Sequence, residues 1–548
     1  EISKTLDIGG TVSFKDDAPT ITPTNAAPIL IVDETTLGAS ITNNGFGASA
    51  LTVNYGADGA ASTMPLVYSL SVSSVGVSSA LVDTATGQLV YLYIESGTGD
   101  VIGRVGSGGN PAPLGAEAFR IHVDATTGAT TLTQSRSLSH LTDGTSAADH
   151  DDVLNMAANL IRLNATATDK DGDAITQGTD IGDKFSFKDD GLTLAVTGNT
   201  GSITVDESAL IGGVGNPNPA ILATMTNSTF LNGVFTPTYG TDGAATTNPL
   251  EDSLRVASAG VNSGLVDTAT GQAILLYKES NDIVGRVGSN TGAEAFRIQM
   301  NATSGSTTLT QSRSLSHGTD GSTATDHNDA LSIANNAVVV RAVAMDGDGD
   351  KARQDVRIGN KFSFLDDGPV FVSSTTATVD EADLPLGSSP TPSALTQSGT
   401  LTINFGADKG TASQVDVQFT SATLTALENW DDTATGGEAN NENLTFTISN
   451  AGHTITATDS VSGLPAFTVT LTVDKATGAT SYQFVLSRAL AHNNLSELHI
   501  PFNNLLITDG DGDTTLGNFS VTVVDDEPAL TPKVLIVNED LTNDGGFG

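Results

Sequence analysis

Apolar and polar residues alternate along many short stretches of this chain, and the period is two. LTVNY at 51–55, FTVTLTV at 467–473 and FSVTVV at 519–524 each place every second side chain on one face, as half-buried strands do. Ile161, Leu163, Ala165 and Ala167 share a face, and Val338, Val340, Ala342 and Ala344 repeat the pattern 177 residues later. Clusters of Gly, Asn, Asp and Pro break the runs at short intervals. One stretch, DHDDVLNMAANL at 149–160, has helical spacing, and it reads equally well as a turn entering a strand. The pattern predicts an all-β protein.

Self-similarity sets the organisation. TLTQSRSLSH at 131–140 returns unchanged at 308–317. The pair Asp16-Asp17 returns as Asp189-Asp190, Asp366-Asp367 and Asp525-Asp526. Val-Asp-Glu stands at 32–34, 205–207 and 379–381, and Asp-x-Asp-Gly-Asp at 169–173, 346–350 and 509–513. Three repeats follow, at 18–190, 191–367 and 368–526, the last a shorter variant without the GRVG and AEAFRI elements of the others. Residues 1–17 read as the final strand of a preceding repeat, because 5–17 match 178–190. Residues 527–548 read as the start of a following one, because 534–541 match 29–36. The chain is expected to be a piece of a longer array. Each unit exceeds the roughly 100 residues of a minimal immunoglobulin-like domain. The fold class is therefore tandem immunoglobulin-like β-sandwich repeats with an inserted hairpin, arranged end to end, the hairpin strands being YLYIES and DVIGRVG.

Charge narrows the partners. With 63 Asp and Glu against 23 Lys and Arg the net charge is −40. Nucleic acid and anionic membrane surfaces attract clustered Lys and Arg, so neither is an expected partner, and no apolar run is long enough for direct membrane insertion. Cysteine is absent, which leaves neither disulfides nor zinc–thiolate sites to stiffen the repeats.

The recurring carboxylates are the candidate chemistry. Calcium takes six to eight oxygens, preferably carboxylates and carbonyls. Asp169, Asp171 and Asp173 alternate around a tight turn between two strands, as do Asp346, Asp348 and Asp350, and Asp509, Asp511 and Asp513. A hairpin between the last two strands of a sandwich lies where the chain enters it, beside the Asp-Asp pair of the preceding unit. The Val-Asp-Glu acids, Asp33 and Glu34, Asp206 and Glu207, and Asp380 and Glu381, are expected to start near the same end. For the second repeat this gathers Asp189, Asp190, Asp206, Glu207, Asp346, Asp348 and Asp350; Asp16, Asp17, Asp366, Asp367, Asp525 and Asp526 serve the other junctions. Such clusters repel unless a cation lies between them, so several Ca²⁺ ions are expected, mainly at inter-repeat junctions. Solvated Asp-Gly turns are the alternative for one motif alone; recurrence in register favours the ion.

Weaker candidates stay open. Asp58, Asp242 and Asp408, in YGADGA, YGTDGA and FGADKG, read as turns or as a second cation site. His150 and His327 read as parts of capped loops, with a transition-metal site as the alternative. His140 and His317 recur with everything around them, which reads as scaffold. No HExxH motif exists, and the single tryptophan, Trp430, reads as packing rather than a sugar platform. No enzymatic activity is expected.

The succession of DHxD, an alternating strand, Asp-x-Asp-Gly-Asp, a final strand and Val-Asp-Asp-x-Pro resembles the extender repeats of giant bacterial surface adhesins of the repeats-in-toxin group. The resemblance covers 5–541, and it lacks the tandem GGxGxD nonapeptides of that group. It implies type I secretion from a Gram-negative bacterium, extracellular calcium, and a stalk that serves cell adhesion or biofilm formation by holding a distal binding domain away from the cell. The partners are then neighbouring repeats of the same polypeptide. Two rival readings are homotypic assembly into a surface layer or filament, and, more remotely, a carbohydrate-binding or hydrolysing module.

Overall fold

The computed structural model describes residues 1–140, 149–210, 221–318, 321–323, 326–409, 415–432, 443–475, 477–492 and 495–527. Almost all regular structure in them is strand. In Ile161–Thr168 the residues Ile161, Leu163, Ala165 and Ala167 face inward and are buried, while Arg162 and its alternates face out. Fully burying such a side chain stabilises by about 1.5–3 kcal/mol for the larger ones, which fixes the register of the strand.

Three separate hydrophobic cores form along the chain, spanning Ile21 to Phe187, Leu192 to Phe364 and Ala377 to Val523. The first two share one plan. A six-stranded sheet runs in the order Ser40–Asn43, Thr130–Gln134, Glu117–Val123, Val101–Val105, Gln88–Ile94 and Val77–Asp83. Facing it are two three-stranded sheets, Val153–Asn155 with Phe185–Lys188 and Leu30–Asp33, and Ala174–Asp180 with Ile161–Thr168 and Leu66–Val72. Phe119 and Phe187 join the two layers with ring centroids 5.1 Å apart, and Phe296 with Phe364 repeats the pair at 5.2 Å. The architecture is a string of all-β sandwiches.

The hairpin expected as an insertion is an integral part of the large sheet. Gln88–Ile94 pairs with Val101–Val105, with Tyr93 opposite Ile102, and both strands have neighbours on either side. The third segment lacks GRVG and AEAFRI yet also builds a six-stranded sheet, so its shorter period is not the loss of that layer. It adds a helix, Ser421–Asp432, with Trp430 half-buried against the core. The stretch at 149–160 is one turn of 3-10 helix, Asp149–Asp151, entering the strand Val153–Asn155.

One pairing decides where the acids go. Leu30–Asp33 runs parallel to Phe185–Lys188, with Leu30 opposite Phe185 and Asp33 opposite Lys188. Ile203–Asp206 and Phe362–Leu365 repeat this, as do Ala377–Asp380 and the end of Thr514–Val524. The Val-Asp-Glu strand of each repeat therefore ends beside that repeat's own Asp-Asp pair.

Residues 1–18 are exposed and carry a single 3-10 turn, Gly9–Thr11, with no strand. The same turn recurs at Gly182–Lys184 and Gly359–Lys361, each time before a strand held between two others. Residues 12–15 have neither neighbour. The match at 534–541 lies outside the described residues.

Candidate metal centre at the junctions between repeats

Each Asp-x-Asp-Gly-Asp motif is a hairpin loop. Asp169 links Ile161–Thr168 to Ala174–Asp180, and its Oδ1 accepts from the Gly172 and Asp173 amides at 3.2 and 2.8 Å. Asp509 accepts likewise from Gly512 and Asp513. The first aspartate thus ties the turn with one oxygen, and its other oxygen is buried without a hydrogen-bond partner in all three loops.

Eight residues converge at the junction between the first and second repeats. The preceding repeat supplies Glu34, His140, Asp189 and Asp190; the following repeat supplies Asp242, Asp346, Asp348 and Asp350. Ligand atoms of Glu34, Asp189, Asp190 and Asp242 all lie within 4.8 Å of one another. The His140 amide donates to Asp348 Oδ2 across the junction at 3.1 Å, and His150 Nε2 lies 3.7 Å from Asp350 Oδ2. Asp190 accepts from the amide and hydroxyl of Thr241 at 3.0 and 2.8 Å, which pins the YGTDGA loop to the preceding repeat. That contact requires glycine next door: Gly240 has φ +66°, and a Cβ there would stand 2.4 Å from the Asp190 carboxylate. Gly56 and Gly406 repeat it against Asp17 and Asp367.

The second junction reproduces the first with Glu207, His317, Asp366 and Asp367 facing Asp408, Asp509, Asp511 and Asp513. His317 donates its amide to Asp511 Oδ2 at 3.0 Å, and the Gly321 amide reaches Asp513 Oδ1 at 2.6 Å. At the chain's start Asp16, Asp17 and Asp58 cluster in the open, beside Asp171 and Asp173. At the far end Glu381, His492 and Asp525 cluster, while Asp526 accepts from Ser388 within its own repeat.

Two expectations need correction. The Val-Asp-Glu acids do not join the entry end of their own repeat. Parallel pairing carries them to its exit, so Asp206 and Glu207 lie one junction away from Asp346, Asp348 and Asp350. Moreover, only the glutamate of each pair enters the cluster. Asp33 caps a 3-10 turn through Thr35, Asp206 accepts from Ser208, and Asp380 accepts from Ala382, all facing outward from the cluster. Glu34 is instead fully buried, accepting from Gln134 Nε2 at 2.5 Å and the Leu138 amide at 3.0 Å.

Asp242 and Asp408, open between a turn and a cation site on sequence, lie inside the clusters, and both oxygens of each are buried with no hydrogen bond in good geometry, only the Thr84 and Thr268 hydroxyls standing near them. Sequence reasoning set His140 and His317 aside as scaffold and missed His492. His140, His317 and His492 are buried at the clusters, 4%, 4% and 5% exposed. The signal was available: SRSLSH in the first two repeats and SRALAH in the divergent third keep the histidine in register.

Burial and mutual repulsion act together on the clustered carboxyls. Burial, aided by Asp242, pushes the Glu34 carboxyl up to about 9. Burial and the Asp348, Asp242 and Asp350 charges push Asp189 up to about 9, and Asp408 and Asp509 rise to about 9 for the same reasons. Burial and like charge disfavour the ionised carboxylates, and a cation among them would reverse that preference. Unpartnered buried oxygens on Asp189, Asp242, Asp346 and Asp348, and on Asp366, Asp408, Asp509 and Asp511, form an all-oxygen donor set that fits a hard divalent cation.

A family model described as a domain of unknown function, DUF5801, matches residues 29–182 and 202–359. No curated protein matches. Among solved structures, extracellular domains 3–6 of protocadherin gammaB7 share 11% identity over 93% of this chain and 77% of that one, with a TM-score of 0.21. A 1.5-MDa bacterial ice-binding adhesin shares 10% over 94% of this chain and 100% of that one, TM-score 0.18. A Ca²⁺-stabilised adhesin with which an Antarctic bacterium binds ice shares 9% over 93% and 99%, TM-score 0.15. Likeness this loose transfers no site; the fold stands on the chain's own sheets.

Proposed function

Since the chain belongs to the DUF5801 family, which is defined by sequence and carries no activity in its description, we propose its role from the junctions: a calcium-stiffened stalk of a large secreted bacterial surface adhesin. The observation that carries this reading is the repeated cluster of buried, donor-less carboxylate oxygens contributed from both sides of each junction. An ion there is held by two repeats at once, so binding it joins them. Glu34, Asp189, Asp242, Asp346 and Asp348 would hold it at the first junction, and Glu207, Asp366, Asp408, Asp509 and Asp511 at the second. The ion supplies charge neutralisation, and the chain supplies the shape. Extracellular modules bind calcium at about 10⁻⁴–10⁻³ M, which saturates outside a cell and empties inside it. The repeats would then leave the cell flexible and stiffen on arrival, spacing a distal binding domain from the surface for adhesion or biofilm formation.

Calcium at about 100 times its Kd adds about 2.7 kcal/mol per ion to the folded state. In repeats of this size that raises Tm by about 5–10 °C. The test is thermal melting with small-angle scattering in calcium and in chelator. The expected result is a higher Tm and a longer, better-defined maximum dimension with calcium; no change in either would refute the stalk.

A further inference from the structure

The clusters at the three repeat exits each contain a histidine, a nitrogen ligand that calcium does not need. His140 lies on the repeat side of the first junction with its ring buried, and its Nε2–H donates to the Phe187 carbonyl at 3.3 Å. With Nε2–H on the carbonyl, Nδ1 has no hydrogen-bond partner and stands 3.3 Å from Asp189 Oδ1, where either a second ring proton or a metal ion would face the carboxylate. A lone pair aimed at a carboxylate is repulsive unless something positive lies between them. Glu34 completes the trio, all three ligand atoms lying within 4.8 Å of one another. Two ligands of a tetrahedral ion with bonds of about 2.1 Å stand about 3.4 Å apart, close to the separation of the His140 and Asp189 atoms. A ring nitrogen fixed by a backbone carbonyl on its far side is also how metal-bound histidines are oriented.

The histidine returns in the other repeats with different bonding. His317 donates Nε2–H to the Phe364 carbonyl at 3.4 Å and Nδ1–H to the Leu315 carbonyl at 2.8 Å, with Nδ1 also 3.2 Å from Asp366 and Asp329 nearby, so this ring is itself a cation. At the third exit His492 Nε2 lies 3.2 Å from Glu381 Oε1, beside Asp525, and its Nδ1 is buried without a partner. The divergent third repeat keeps this trio while losing other motifs of the first two.

We infer that the exit of the first repeat carries a second cation position, built from Glu34, His140 and Asp189, that takes a borderline divalent ion such as Zn²⁺ beside the calcium. It rests on the reading of the junctions as divalent-ion sites, and it differs in ion class. Imidazole suits Zn²⁺ and Co²⁺, whereas calcium prefers oxygen. Glu34 and Asp189 belong to both positions, Asp189 with Oδ1 toward His140 and Oδ2 unpartnered.

The test titrates untagged protein, already saturated with calcium, with CoCl2 and follows visible absorption and bound metal. Cobalt uptake with ligand-field bands is expected, and His140→Gln should remove one bound Co²⁺ per chain while leaving the calcium-dependent rise in Tm. No uptake beyond calcium, or uptake unchanged in His140→Gln, overturns the inference. Should His140→Gln fail to fold, zinc X-ray absorption on the unaltered chain decides: imidazole scattering supports the site, and an oxygen-only shell refutes it. A chain that takes up cobalt without responding to calcium refutes the stalk alone; the reverse outcome refutes this site alone.

Discussion

Buried carboxylates serve two purposes in this chain, and Asp252 separates them. It lies in the strand Leu250–Val256, away from the junctions, where the first repeat has Tyr68. In that repeat the Tyr68 ring packs over Gly47 and Gly128. In the second repeat Leu231 replaces Gly47 and covers Gly305, so the space the ring would need is filled. Asp252 keeps the backbone bond to the Ala302 carbonyl, at 3.0 Å, but its Oδ1 is buried without a donor. Burial raises its carboxyl to about 6. A carboxyl whose folded value exceeds its unfolded one stabilises only while protonated, so the cost appears as pH rises from about 4 and is complete above about 6. Asp252→Asn should therefore stabilise the repeat by about 1 kcal/mol at pH 7.5, after allowance for solvent screening, and by nothing at pH 4. Denaturant melts at the two pH values decide it; an equal gain at both would mean the charge is not the cause.

Among elements, legibility in the sequence followed locality. The strands and the Asp-x-Asp-Gly-Asp hairpins were readable because period two and a turn motif are local, and the meeting of these hairpins with the preceding Asp-Asp pair followed from sandwich geometry. The exit position of Glu34 was not readable. It depends on Leu30–Asp33 pairing parallel with a strand about 155 residues later, and alternation is the same for parallel and antiparallel strands. The cap role of Asp33 follows from that too, since successive residues leave a strand on opposite faces. The histidines were hidden for another reason: what recurs with its surroundings looks like scaffold, and here the scaffold includes the site. The YGTDGA loop offers a test at this scale. Gly240→Ala incurs both a positive φ and the clash with Asp190, whereas Gly243, at φ +70°, has nothing within 4 Å of a new Cβ. Gly243→Ala should cost about 1 kcal/mol and Gly240→Ala about 2–3 kcal/mol. Adding Asp190→Ala should reduce the second cost toward the first; a cycle with no coupling would show that the loop is not pinned through Asp190.

At the scale of the molecule the question is whether calcium acts at the junctions or only on a charge of −40. The two have different salt dependence. Exposed carboxylates repel through water and are screened within about 8 Å at physiological ionic strength, so sodium chloride relieves them as well as any salt does. The junction clusters are not exposed. Asp189, Asp346, Asp408 and Asp509 are at most 2% accessible, so screening by ions in the surrounding solvent reaches them weakly. A monovalent ion that did enter would bring half the charge and weaker hold on the oxygens. In chelator, raising sodium chloride to about 0.5 M should therefore recover only the part of the stability that belongs to the surface. Millimolar calcium should recover the rest, and Asp242→Asn with Asp408→Asn should abolish that second part while leaving the first. If sodium chloride alone raised the Tm as far as calcium does, the clusters would be ordinary surface charge and the joining of repeats by shared ions would have no support.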